Sequence, residues 1–225
     1  MQINSVDGIV NQEKVVILTF DDGYKSQYLN AKPLLDKYGF KATFYIVCNY
    51  VGTGDNRMTW EEIKSLQQEG HDIASHTMNH DDLSKLSPQE IEYEVAQSKQ
   101  CLFEQGINPK SFAYPFNGGS DDPAVISAVA SHYDLARTAT EPLAFLGCSN
   151  NCDTSKYSIV GWSHDSERKS NNYNYQQMFE RFVDDVDDDT ISDDDTRPQP
   201  EKDSESWEAE ENHIPSAILQ FITEP

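Results

Sequence analysis

Basic residues are scarce in this 225-residue chain: 17 lysines and arginines stand against 39 acidic residues, a formal charge of −22. That deficit argues against a nucleic-acid or anionic-membrane partner, since both demand basic patches. Long apolar runs are missing too. No stretch approaches the ~18 apolar residues of a membrane span. The opening "MQINSVDGIV" has neither the basic region nor the apolar region of a secretory leader. The expectation is a cytoplasmic protein, or an extracellular one whose leader has been removed. Cysteine is sparse, at four. Cys148 and Cys152, in "CSNNC", are close enough to bridge a small loop, which would suit an oxidising compartment. A metal reading of that pair lacks a second pair to complete four ligands. Cys48 and Cys101 read as ordinary buried thiols.

Large apolar residues nearly vanish from residues 184–212, "DDVDDDTISDDDTRPQPEKDSESWEAEEN". Such a stretch cannot bury enough surface to offset its conformational entropy, so a disordered acidic segment is expected over 183–212. Its aspartates lack the glycine and terminal glutamate of a calcium loop, which favours a solvated tail over a calcium site. The expected layout is one domain over 1–182, then this segment, then a degenerate last strand within 213–225.

What the chain does have is a recurring unit, a short apolar run followed by a helical pattern. "KVVILTF" and "KATFYIV" read as strands covered on both faces. "AKPLLDKYG" between them reads as a short helix, with Pro33 near its start and Gly39 after its end. In "TWEEIKSLQQEG", Thr59 and Glu62 form a capping box and Gly70 marks the stop. "HDIASH" is a third strand. "SPQEIEYEVAQSKQCLFEQG" repeats the capping logic with Ser87, Pro88 and Glu90. Its stripe of Ile91, Val95 and Leu102 has helical spacing, interrupted only by the small Ser98. "KSFAYPF", "YDLARTA" and "KYSIVGW" are further strands, with a helix at "DDPAVISAVASHY". Strands alternating with helices predict parallel βα units, hence an open doubly wound sheet or a barrel. In either, function gathers at the C-terminal ends of the strands.

At the end of the first strand, "TFDDG" sets Asp21 beside Asp22. Asp-Asp-Gly is a common turn. Adjacent carboxylates also disfavour each other's ionisation unless a cation lies between them. After the third strand, "SHTMNH" holds His76 and His80 at i, i+4 spacing, and imidazoles one helical turn apart can reach one cation from a single face. Alone, that pair reads equally as surface histidines. In a parallel barrel, the first and third strands end on one rim, where two histidines and one carboxylate would form a facial triad with open positions. The other aspartate is then free to act as a base.

With these residues in place, residues 15–166 resemble the NodB-type polysaccharide deacetylases, carbohydrate esterase family four. The resemblance implies an α/β fold, a distorted and incomplete (β/α) barrel of the NodB homology type, with the acidic segment following it. It implies Asp21 as catalytic base and Asp22, His76 and His80 as ligands of a divalent metal ion, zinc in first place. Thr77 stands at its usual place between the histidines. The third motif, usually Arg-x-Pro-Tyr or Phe, reads "AYPF" here, so Ala113 replaces the arginine that orients the base. The Phe116 amide would donate to the oxyanion, and Pro115 and Phe116 would wall the groove. "GWSHDS" is similar to the fourth motif, with Trp162 as apolar wall and Asp165 as polar orienter; Trp162 reads equally as a core aromatic.

The fifth motif, Leu-x-His, whose imidazole protonates the leaving amine, reads Leu219-Gln220-Phe221 here. His164 and His213 are substitutes by residue type only. A positioned acid contributes about 10²–10⁴-fold, so amide cleavage is expected to suffer more than ester cleavage. The implied activity is removal of N-acetyl or O-acetyl groups from an amino-sugar polysaccharide or oligosaccharide. The alternatives are a metal-containing carbohydrate-binding domain with impaired turnover and a small-amide hydrolase on the same scaffold.

Overall fold

The computed structural model describes residues 14–139, 156–164 and 217–223. Cys148, Cys152, Asp165, His213 and the acidic segment at 183–212 lie outside the described residues. Five strands alternate with helices: β1 (Lys14–Phe20), α1 (Lys32–Tyr38), β2 (Ala42–Ile46), α2 (Trp60–Gln68), β3 (Asp72–Ser75), α3 (Pro88–Glu92), α4 (Ser98–Glu104), β4 (Ser111–Ala113), α5 (Pro123–His132) and β5 (Leu135–Arg137). Two more strands follow, β6 (Trp162–His164) and β7 (Ala217–Thr223). The sheet order is β5-β4-β3-β2-β1-β7-β6. β1 to β5 pair in parallel, as the alternating pattern predicts, and curl into an incomplete barrel. β7 departs from that pattern and pairs antiparallel with both β1 and β6. Residues 159–164 touch both edges of the sheet, with Ile159 bridged to Arg137 on β5 and Trp162–His164 paired with β7.

The helices form where local chemistry demands. The Thr59 side chain accepts from the Glu62 amide while Glu62 Oε2 accepts from the Thr59 amide, and Ser87 and Glu90 repeat the box at α3. Gly39 closes α1 with φ of 71°. The predicted stripe is buried as expected: Ile91, Val95 and Leu102 pack inward. Ser98 interrupts it for a reason, since its hydroxyl bonds those of Ser75 at 2.9 Å and Tyr133 at 3.0 Å. The helix expected over this stretch runs without a break from Pro88 to Glu104 and carries a π turn, Tyr93–Gln97, in its middle. A second π turn, Gln27–Ala31, precedes α1. Each turn holds a buried polar residue, Glu94 in one and Gln27 in the other.

Strand alternation divides the core. Phe44, Ile46 and Ile73 face a helix-covered cluster with Ile63, Leu66 and Leu102. Phe112 and Ala136 face a second one with Val95, Val125 and Val129. The intervening residues Tyr45, Ala74 and Ala113 form a separate cluster on the opposite, inner face. Two alanines in that row leave space within the barrel.

Cys48 and Cys101 are joined in a disulfide across 53 residues, which corrects their reading as free buried thiols. The end of β2 and helix α4 bring their Cα atoms to 6.5 Å, within bridging range. Nothing local in the sequence signals that approach. Replacing both by serine should lower the unfolding free energy by about 2–4 kcal/mol. Denaturant titration checks this; equal midpoints for the oxidised parent and the double variant would refute it.

Candidate active site

The turn at residues 21–24 is both a turn and a site. Asp22 and Gly23 have φ of 70° and 66°, a left-handed pair that aspartate and glycine tolerate best. The turn lifts the two carboxylates off the end of β1 on the rim. Arg57 Nη1 donates to the Asp22 carbonyl at 2.6 Å, and Gln27 Nε2 donates to the Asp21 carbonyl.

His76 follows β3 directly, and its amide donates to the Ile46 carbonyl at 2.9 Å. His76 and His80 sit in a loop, not on the helix their spacing implies. Thr77 and His80 both have positive φ, 71° and 65°, a costly conformation for a β-branched residue. The loop is held from several sides. Thr77 Oγ1 accepts the His80 amide at 2.9 Å. Glu94 Oε2 accepts the Met78 and Asn79 amides at 2.9 and 2.8 Å, and its Oε1 accepts from Asn79 Nδ2.

The rim brings three donor atoms together. Asp22 Oδ1 lies 3.5 Å from His76 Nε2 and 3.1 Å from His80 Nε2. All three donors lie within 4.8 Å of one another. Donors around one cation with bonds of about 2.0–2.2 Å stand roughly 3 Å apart, and the two separations from Asp22 Oδ1 are of that size. The buried Asp22 Oδ1 has no hydrogen-bond partner among the described residues. An unpaired buried carboxylate oxygen is costly, and a cation would satisfy it. Burial pushes the Asp22 carboxyl up, but the close approach of His80, with His76 and the Arg57 guanidinium also nearby, outweighs it and holds the group below its ordinary range. His76 is nearly inaccessible. Burial holds its imidazole below its usual value, against the opposing pull of Asp21 and Asp22. Its Nδ1 lies 2.8 Å from the Ala113 carbonyl, which can only accept, so Nδ1 carries the proton and Nε2 presents a lone pair.

Asp21 stands beside this cluster, with Oδ2 3.9 Å from His76 Nε2. Its Oδ1 accepts from Arg137 Nη2 on β5. Phe116 has φ of 55°, is 69% exposed, and sets its ring 4.7 Å from that of His80. Pro115, the residue before it, is buried. Trp162 is the first residue of β6, opposite Leu219 of β7. His164 pairs with Ala217, which pairs with Phe20, so His164 ends on the same rim as Asp21 but two strands from β1. The expected Leu-x-His position falls on β7, with Leu219 opposite Leu18 and Phe221 opposite Val16.

Arg137, Glu94, Gln27 and Arg57 escaped sequence-level detection. Arg57 is layered between the rings of Tyr24 and Tyr50, at 4.0 and 4.4 Å from their centroids. One signal for Arg137 existed: a lone cation inside the apolar strand "YDLARTA", in a chain poor in cations.

A family profile described as polysaccharide deacetylase matches residues 9–134. The Bacillus subtilis (strain 168) protein YxkH is 37% identical over 132 residues, covering 58% of this chain and 46% of the relative. A peptidoglycan-N-acetylglucosamine deacetylase of Bacillus cereus is 31% identical over 129 residues, 56% of each chain. This chain thus spans about half the length of those relatives. Among solved structures, the Streptococcus pyogenes deacetylase PplD in complex with acetate superposes with a TM-score of 0.57 at 29% identity, covering 63% of this chain and 61% of that one. The profile spans more than half of the present chain, over the β1-to-α5 unit that carries the clustered aspartates and histidines, and the chain belongs to the polysaccharide deacetylase family.

Proposed function

We propose that this protein is a metal-dependent hydrolase that removes N-acetyl or O-acetyl groups from an amino-sugar polysaccharide or oligosaccharide. The observation that carries the proposal is the convergence of Asp22, His76 and His80 on one point with Asp21 beside them. The imidazole and carboxylate donors suit zinc. A divalent ion held by Asp22, His76 and His80 would lower the pKa of water to about 7 and polarise the acetyl oxygen.

The chain's own groups would carry the remaining steps. Asp21, with Oδ1 tied to Arg137, keeps Oδ2 towards the centre to take the proton of the attacking water. As the carbonyl carbon becomes tetrahedral, the Phe116 amide would donate to the developing oxyanion, a contribution of roughly 3 kcal/mol. The carbon–nitrogen bond would then break as the nitrogen takes up the proton that Asp21 removed from the water, giving acetic acid and the free amine. Pro115 and Phe116 would wall the substrate groove, and the exposed Phe116 ring suits an apolar sugar face. Trp162 and Asp165 are proposed to complete that groove.

Two relatives support the substrate class through their names, a peptidoglycan-N-acetylglucosamine deacetylase and a chitooligosaccharide deacetylase from Bradyrhizobium. No helix among the described residues is long and apolar enough to cross a membrane. The Cys48–Cys101 disulfide supports an oxidising compartment, since such bonds rarely persist in a reducing cytosol.

Acetate release from acetylated chitooligosaccharides tests the proposal, with O-acetylated sugars as a second arm. A chelator should abolish release and added zinc restore it, and His76→Ala should lower it at least ~10²-fold. Activity that survives both the chelator and His76→Ala would overturn the metal mechanism.

A further inference from the structure

Building on the deacetylase function proposed above, we infer that Arg137 is the positioning residue of the base Asp21, delivered by β5 to a task for which β4 offers only Ala113. Ala113 and Arg137 are direct partners in the parallel β4–β5 register. Paired residues of neighbouring strands share a face, and Ala113 belongs to the inner row with Tyr45 and Ala74. Ala136, the neighbour of Arg137, faces the outer cluster, as alternation requires.

The Arg137 side chain is held in one pose. It is 1% exposed, and its guanidinium carbon lies 4.4 Å from the centroid of the fully buried Tyr45 ring. The ring face supports the cation from one side. From that pose Nη2 donates to Asp21 Oδ1. Ala74 and Ala113 are both fully buried, and larger side chains in that row would compete for the same space.

The arrangement is expensive if it serves stability alone. A buried guanidinium is retained at a net gain only where its donors are well satisfied, yet Nε of Arg137 has no partner among the described residues. A base-orienting role accounts for the choice. Gln27 fixes the Asp21 backbone through its carbonyl, Arg137 fixes Oδ1, and the remaining oxygen, Oδ2, is left towards His76 and the metal centre. Asp21 is therefore constrained at both ends, with one oxygen committed and one available. In this chain Arg137 is the residue that decides which oxygen that is.

The test uses the zinc-loaded full chain and a kinetic cycle with Asp21→Asn. Arg137→Met should lower kcat for acetate release about 10- to 100-fold, since displacement of a reacting group by about 1 Å costs on that order. KM should change by less than about threefold, because no substrate contact is removed. Zinc content, measured by elemental analysis, should stay at one per chain, because no ligand is touched. Arg137→Lys should retain more activity than Arg137→Met, since an ammonium can still donate to Asp21 though it cannot lie flat on Tyr45. In the Asp21→Asn background, Arg137→Met should cost less than about twofold, the sign of a residue acting through another.

An equal loss in both backgrounds, or a variant within threefold of the parent, overturns the inference while leaving the deacetylase function standing. A parent protein that releases no acetate with zinc overturns both. Where Arg137→Met fails to fold, judged by its thermal midpoint, the neutral Arg137→Gln carries the same cycle under the same criteria, with Arg137→Lys kept only as the conservative comparison.

Discussion

Asp21→Asn should lower kcat for acetate release about 10²–10⁴-fold while zinc uptake stays at one ion per chain. The two effects separate because the neighbouring carboxylates hold different positions. Asp22 Oδ1 is the oxygen closest to both imidazoles, at 3.1 and 3.5 Å, whereas Asp21 approaches only His76, at 3.9 Å. Asparagine keeps the size of aspartate, and its carbonyl can still accept from Arg137, so the turn at 21–24 is preserved. What it cannot do is take a proton from water. The expected signature is a fall in kcat with little change in KM, since the role proposed for Asp21 is at the transition state and not in holding the substrate. Single-turnover kinetics with stoichiometric zinc reads this directly. Activity within tenfold of the parent would show that another group takes the proton.

Glu94→Ala should weaken zinc binding about 10- to 100-fold, although the residue touches neither histidine. Glu94 is 2% exposed and sits in the π turn between α3 and α4, where it accepts the Met78 and Asn79 amides and the Asn79 side chain. Those amides lie inside the loop that carries His76 and His80. Removing the carboxylate leaves both without their acceptor, at a cost below the ~1–3 kcal/mol of a fully buried donor because both bonds are part-buried. The loop holds two left-handed non-glycine residues, Thr77 and His80, which persist only while their surroundings enforce them. Release of that constraint is expected to scatter the two Nε2 atoms. Calorimetric zinc titration, beside chemical denaturation of the metal-free protein, measures both consequences. Unchanged zinc affinity would mean that the loop keeps its shape without Glu94.

The two π turns share a pattern. Each adds one residue to a helical turn, and each directs a buried polar side chain to a loop on the rim: Gln27 to the Asp21 carbonyl, Glu94 to the histidine loop. Such bulges recur at functional sites because they shift a side chain without ending the helix. Neither is visible in the periodicity of the chain, since helical apolar spacing tolerates one extra residue.

The Asp-Asp-Gly stretch shows how two sequence readings can both hold. It is a turn, with Asp22 and Gly23 left-handed, and it also delivers the two carboxylates to the rim. The histidine pair shows the reverse. Its i, i+4 spacing is read as a helical turn, yet the loop and not a helix sets the separation of the rings, which lie close to each other and to Asp22. The last strand is a different case. Its apolar pattern is legible, but its antiparallel direction follows from how the chain returns past β1, which no local motif records.

The sequence by itself determined the alternation of β1 to β5 with their helices, the capping boxes at Thr59 and Ser87, and the two segments that bring Asp22, His76 and His80 together. These are short-range or rim-level properties, written in spacings of two to four residues and in the rule that parallel strands end on one side. Tertiary structure alone decided the Cys48–Cys101 bond, the support of the histidine loop by Glu94, and the pairing of Arg137 with Asp21. That last pair spans 116 positions, and the disulfide spans 53. Contacts over such distances depend on strand order and on the packing of whole layers, so each partner taken alone is an ordinary cysteine, glutamate or arginine until the barrel forms.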